Sequence, residues 1–165
     1  MKSPICEICL KSDLLCPACQ GKVERGEVTQ TDIKILSLLH KESEKNKDLE
    51  NIEIKKIVDC QDVILIICSK REAAKIVGKG GFFVKKIQDI VNKPVRIVEE
   101  SGSLREFIQN IILPVPIIGL NTLYTAKGEK YKIIIPKNSR LPLKLKTFSN
   151  LAKDVLKKDV EIDFE

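Results

Sequence analysis

The sequence predicts an α+β protein: a small cysteine-rich module over residues 1–28, then two consecutive α/β domains over 29–101 and 102–165. Three observations predict it. Four of the six cysteines crowd the first 20 residues as Cys6-x2-Cys9 and Cys16-x2-Cys19. From Thr31 to Val98 the apolar periodicity runs α-β-β-α-turn-α-β. A similar order returns from Leu104 to Phe164, at an offset of about 65–70 residues, and reads as an internal duplication.

Each element has a local cause. Two CxxC knuckles six residues apart match a metal clip, because tetrahedral zinc takes four soft ligands at about 2.3 Å. With Cys6, Cys9, Cys16 and Cys19 filling all four positions, one structural Zn2+ is expected, in preference to an iron–sulfur cluster. So short a segment cannot bury a core, so the ion is expected to hold this module together with little effect on the domains that follow. Four thiolates around Zn2+ carry −2, which suits the module to docking a protein better than a polyanion. Cys60 and Cys68 lie in apolar surroundings and read as small core residues.

Gly21–Val28 reads as a linker, and Thr29-Gln-Thr-Asp32 as a capping box opening a helix from about Thr31 to Lys45. His40, the lone histidine, falls among charged residues on that helix and is expected to be exposed and inert. Ile52–Cys60 and Val63–Ser69 are β-rich runs joined by Gln61-Asp62, an antiparallel hairpin. Glu72–Val77 is a short helix stopping at Gly78, Phe82–Val91 is a second helix, and Val95–Val98 is a strand. In the second copy Leu104–Ile112 reads as a helix, and Ile117–Tyr124 and Lys130–Pro136 as strands. Ser149–Lys157 reads as a helix and Val160–Phe164 as the closing strand.

Composition narrows the class. Hydrophobic residues make up 43% and aromatics 4% with no Trp, so aliphatic side chains must build the core. No apolar run approaches the roughly 18–20 residues that span a bilayer. The start has no secretory pattern, so a soluble cytoplasmic protein without disulfides, membrane partner or small-molecule substrate is expected. The net charge of +6 is unevenly spread. Residues 70–96 carry eight basic side chains against Glu72 and Asp89, and 127–158 carry ten against Glu129 and Asp154. The tail from Asp159 returns four acids. Two basic blocks suggest a polyanion, most simply nucleic acid.

The most informative stretch is Ile76-Val77-Gly78-Lys79-Gly80-Gly81-Phe82-Phe83-Val84-Lys85-Lys86. It lacks the spacing of a P-loop or a dinucleotide fingerprint. Instead it sets G-x-x-G between two helices, where bare backbone can approach a phosphate and the following helix offers free amides. Lys79, Lys85 and Lys86 add positive charge.

On these residues the chain resembles the KH family: the GxxG segment is similar to the KH loop, and the element order is similar to the type II arrangement. The resemblance implies a clamp on single-stranded RNA, with Gly78, Lys79, Gly80 and Gly81 on the sugar-phosphate backbone. Ile76, Val77 and Val84 are then expected to line the groove for bases, with Lys85 and Lys86 nearby and Arg96 as an edge contact. The tandem arrangement resembles archaeal NusA-like transcription factors, with a degenerate second copy in which Arg140–Lys146 replaces the glycine turn. The cysteine module lies outside that resemblance. It leads to an RNA-binding factor acting in transcription elongation or termination, with single-stranded DNA open as a ligand. The alternative is an adaptor that docks RNA polymerase or the ribosome through the cysteine module. An enzyme is not expected: there is one His, no Ser-His-Asp pattern and no open metal site, and Asp59, Asp62 and Glu99-Glu100 read as turn or strand-end residues.

Overall fold

The computed structural model describes residues 1–165, and its elements begin with two short helices, α1 (Glu7–Ser12) and α2 (Pro17–Glu24). The capping box then opens α3 (Gln30–Ser43). Thr29 Oγ1 accepts the Asp32 amide at 3.2 Å, and the Asp32 carboxylate accepts the Thr29 amide at 2.9 Å. After a single turn, α4 (Lys47–Glu50), come β1 (Ile54–Cys60) and β2 (Val63–Cys68). Only two residues join these strands, which an antiparallel hairpin alone allows. Next are α5 (Ala73–Val77), a 3-10 turn at Lys79–Gly81, α6 (Phe82–Val91) and β3 (Val95–Glu99).

The first sheet has the order β1-β2-β3, and β3 runs parallel to β2 with Val95 opposite Ile64. Every residue of β2 is buried. Ile64, Ile66 and Cys68 face the helices, in one cluster with Ile35, Leu36, Leu39, Ile76 and Ile87. A strand covered on both faces has no reason to alternate, hence the unbroken run VILIIC. Cys68 is a core residue as expected, its thiol pushed up to about 12 by burial and then by nearby Glu99, whereas Cys60, at the end of β1, is only half-buried and lies outside the core.

Two sequence expectations are corrected. The boundary at residue 28 does not separate compact units: Met1–Asp59 with Ile64–Glu100 form one, and Cys60–Val63 with Ser101–Glu165 form the other. Ile5, Cys9, Leu10, Cys19 and Val28 share the hydrophobic cluster of α3 and the sheet, and α1 packs on α3. Backbone bonds from Lys2 N to Ile52 O (2.8 Å) and Ile54 N to Lys2 O (2.9 Å) tie the N-terminus beside β1. The stretch expected as a linker begins inside α2.

His40 is the second correction, being only 4% exposed, with neither ring nitrogen hydrogen-bonded. Its nearest carboxylate oxygen, on Glu44, is 3.8 Å away. The cause is the same: Glu7 and Lys11 of α1 come over this part of α3, which a separate module would have left in water.

The second unit repeats the sheet plan with fewer helices. Ser103 caps α7 (Leu104–Ile112), which buries Phe107, Ile108, Ile111 and Ile112. The sheet β4 (Gly119–Thr125), β5 (Gly128–Ile135), β6 (Asp159–Phe164) has the order β4-β5-β6, antiparallel then parallel, as in the first sheet. Between β5 and β6 lies α8 (Leu145–Leu151), starting four residues before the expected Ser149 and widening into a π turn at Ala152–Leu156. No helix is long and apolar enough to cross a membrane.

Leu10→Ala tests the shared core. Leu10 is 2% exposed, and its truncation is expected to cost about 2–5 kcal/mol. The first unit should unfold at lower denaturant, and α3 amides should lose hydrogen-exchange protection; loss confined to residues 1–28 would contradict the shared core.

Candidate nucleic-acid interface and metal centre

The two CxxC segments build one site in the same way twice. Cys6 and Cys16 sit just before α1 and α2, and Cys9 and Cys19 lie three residues on, in the first turns. All four sulfurs lie within 4.8 Å of one another, with Cys6 Sγ 3.2 Å from Cys9 Sγ and 4.0 Å from Cys16 Sγ. A tetrahedron with metal–sulfur bonds of about 2.3 Å has edges of about 3.8 Å, so the cluster fits a metal ion such as zinc. The halves are cross-linked: Cys16 N donates to Cys9 Sγ at 3.1 Å, and Cys6 N to Cys19 Sγ at 3.5 Å. Amide donors and helix N-termini both favour thiolate. The Cys19 amide, followed by contact with Cys9, holds Cys16 down to about 7. At Cys9 the Cys16 amide pulls downward, but contact with Cys6 and burial outweigh it and push the thiol up to about 12. An ion held by all four sulfurs would have a filled tetrahedral shell, with no coordination position left open.

The glycine loop closes on a second device. Gly78 ends α5 at φ +75°, and Gly80 and Gly81 also have positive φ, at +63° and +75°. At Gly78 the absence of a side chain is needed twice over, because a Cβ there would lie 2.5 Å from the Phe83 ring. Around Gly80 and Gly81 a Cβ would meet nothing within 4 Å, so that stretch of backbone is open to an approaching group. Gly81 N donates to Gly78 O at 3.0 Å and Phe82 N to Lys79 O, and no side chain caps α6, which leaves the next first-turn amides for a ligand.

The predicted site residues are not all brought together. Val77 and Val84 are half-buried beside the loop, and Lys79 and Lys85 are exposed without ion pairs. Ile76 is 0% exposed and belongs to the core, so it cannot line a surface groove. Lys86 is tied to the buried Glu42 at 2.7 Å and lies 4.5 Å from the centroid of the Phe82 ring, so it is not a free cation. Arg96 is turned away: Val95 and Ile97 pack on the helix side of the sheet, and alternation sends Arg96 to the opposite face. Burial there pushes its guanidinium pKa down.

The second basic block is partly neutralised within its own unit. The parallel register sets β5 lysines beside β6 acids, pairing Lys130 with Glu161 and Lys132 with Asp163, both at 2.7 Å. Lys153 reaches Asp159 at 4.0 Å, and Lys158 lies over the Tyr131 ring. The segment between β5 and α8 forms no helix and carries no glycine.

Sequence reasoning missed two members of the site. Lys75 on α5 is exposed and borders a cavity of about 410 Å³ beside Gly78 and Lys79. Phe82 borders it too and is 51% exposed, whereas its neighbour Phe83 is buried. Helical geometry could have separated the two rings, because Phe83 and Ile87 share the buried face and Phe82 does not.

No family model and no curated protein matches the chain. Among solved structures 66 chains match. One is the crystal structure of APE1850, with a TM-score of 0.63 at 17% identity over 82% of this chain and 100% of that one. At that identity the likeness concerns the fold alone.

The loop geometry predicts different costs at its glycines. Gly78→Ala meets both positive φ and the Phe83 ring and is expected to lose about 1–3 kcal/mol by urea unfolding. Gly80→Asn, with open space and a side chain that tolerates the left-handed region, is expected to lose under about 1 kcal/mol. Equal costs would contradict the Phe83 contact.

Proposed function

We propose that the chain is a single-stranded RNA-binding protein that clamps the sugar-phosphate backbone with the Gly78–Gly81 loop. The observation that carries the reading is the loop itself: three glycines at positive φ, an uncapped helix N-terminus beyond them, and unpaired Lys75, Lys79 and Lys85 around them. A phosphate there would take hydrogen bonds from first-turn amides and Coulombic attraction from the lysines, without a Cβ in its path. Val77 and Val84 offer apolar surface to the adjoining bases. The element order and the parallel β2–β3 pair support the type II KH reading, and the repeated sheet order supports a tandem one. The second unit, lacking the glycine turn and with several lysines in ion pairs, contributes no clamp of this kind. The resemblance of the tandem to archaeal NusA-like factors directs the proposal to the transcription machinery. The four cysteines hold one structural Zn2+ that secures the N-terminal helices to the core.

An adaptor role has its own support. Ile8 and Leu14, beside the cysteine cluster, are 76% and 75% exposed, which suits a protein partner. In that reading the partner is retained when the loop is changed.

Lys79→Asp combined with Gly80→Asp tests the clamp. Both positions are exposed and Asp tolerates the left-handed backbone, so the variant is expected to fold. Anisotropy titrations with short single-stranded RNA and DNA should show binding weakened by about 100-fold or more. Wild-type affinity should fall about 20-fold between 50 and 200 mM salt if three phosphates are engaged. Binding unchanged in the variant would overturn the clamp.

The metal has a separate test. Elemental analysis is expected to find one zinc per chain, and Cys16→Ser to lower both zinc content and the stability of the first unit. Zinc binding needs four thiolates, and protons compete for them. Zinc should therefore be lost as pH falls and held more tightly as it rises, with proton release on uptake, including from the Cys9 thiol at about 12.

A further inference from the structure

The glycine loop also borders a cavity that neither Val77 nor Val84 lines. The cavity, of about 410 Å³, is bordered by Asn46 and Asp48 at the start of α4, by Lys75 and Lys79, and by Phe82 and Phe83. We propose that this cavity takes one nucleobase, a guanine, from the strand whose backbone the loop holds. The proposal rests on the clamp reading and adds base selection to it.

Phe82 supplies the stacking surface. A half-exposed phenyl ring loses apolar contact with water when a base covers it, and stacking on an aromatic side chain tolerates any base. The ring is already held in place. It meets the buried Phe83 edge-on, with centroids 5.3 Å apart and planes at 71°. Lys86 Nζ lies 4.5 Å from its centroid and is itself anchored by Glu42. A ring so fixed has little conformational freedom left to lose on binding.

Asn46 and Asp48 supply the selection. Asn46 Nδ2 donates to Glu42 O at 3.0 Å, which leaves Asn46 Oδ1 to accept. Asp48 is exposed, forms no ion pair and, as a carboxylate, can only accept. A rim of acceptors favours a base whose edge presents donors. Uracil offers a single N–H between two carbonyl oxygens, and cytosine and adenine set one amino group beside a ring-nitrogen acceptor. Guanine alone places N1–H and an N2 amino group side by side, the fork that a carboxylate accepts in pairs. Lys75 and Lys79, which also line the cavity, supply positive charge for the phosphates flanking that base.

The test uses the full chain and short uridine RNAs carrying G, A, C, U or inosine at one central position. Wild type is expected to bind the G oligonucleotide about 10-fold more tightly than the all-U one, with inosine, which lacks the N2 amine, near U. Asp48→Asn should remove the G preference and leave all-U binding unchanged. Phe82→Leu should weaken the G oligonucleotide by about 5- to 100-fold, with its circular dichroism unchanged. Because the chain has no Trp, Phe82→Trp installs a single indole whose fluorescence should be quenched as G RNA saturates the protein. Equal affinity for all five RNAs and an unquenched indole overturn the base pocket. If Lys79→Asp with Gly80→Asp still abolishes binding in that case, the clamp stands and only the pocket falls. RNA binding that survives the loop variant with its G preference intact overturns the clamp, and with it the coupling of base to loop proposed here.

Discussion

The contact on which the candidate site depends is the Phe83 ring against the bare backbone of Gly78. A Cβ at that position would lie 2.5 Å from the ring, so glycine is what lets α6 fold back closely on the end of α5. Several features follow from that one approach. Once Phe83 is turned inward, the adjacent Phe82 must point away from the core, because successive helical residues are separated by about 100°. Lys86, one turn on from Phe82, then extends along the same side to Glu42 and ties α6 to α3. The other two glycines can be open because Gly78 has already set the direction of the turn.

A second constraint is the parallel pairing that closes each sheet. In the first unit it makes β2 the central strand and sets the phase of β3, with Val95 and Ile97 toward the helices and Arg96 away from them. In the second it aligns the acids of β6 with the lysines of β5. Local charge in the sequence and local charge in space are therefore different quantities here. The block of ten basic residues loses much of its field to an acidic tail that is remote in sequence and adjacent in the sheet. The lysines around the glycine loop have no such strand beside them.

Much of this was legible from the chain. The Thr29 box, the hairpin, the limits of α6 and the repeated order rest on local signals: capping side chains, two-residue turns, glycine stops and apolar period. The four cysteines were legible for the same reason, since CxxC at a helix start brings two sulfurs together without help from the rest of the fold. What escaped were the facts that depend on packing at long range. The cysteine segment shares a core with α3 because Ile5 and Leu10 are buried against it, and nothing local distinguishes that from a free-standing clip. The burial of His40 follows from the same docking. Ile76, Lys86 and Arg96 were assigned by their positions in a motif, yet a motif states spacing and leaves open which way each side chain turns. The outward turn of Phe82 was available from helical phase, had Phe83 and Ile87 been taken together as the buried face.

Helix N-termini are treated in more than one way along this chain, and the differences bear on the proposed clamp. At α1 and α2 the preceding residues are Cys6 and Cys16, whose sulfurs belong to the four-cysteine cluster. At α3 and α7 the side chains of Thr29 and Ser103 accept first-turn amides. At α6 the preceding residue is Gly81, which has no side chain to offer, although serine, threonine or aspartate there would satisfy an amide. The α8 start also lacks a side-chain cap, but the residues before it, Arg140 to Leu143, all bear β-carbons that would keep a phosphate at a distance. The α6 start therefore combines two properties that no other helix start of eight or more residues has here: first-turn amides without a side-chain cap, and a glycine approach that lets a phosphate reach them. A phosphodiester meets both conditions, since it brings acceptor oxygens and a negative charge and needs the space a Cβ would take. That combination, more than total charge, is the reason for placing the strand at this loop.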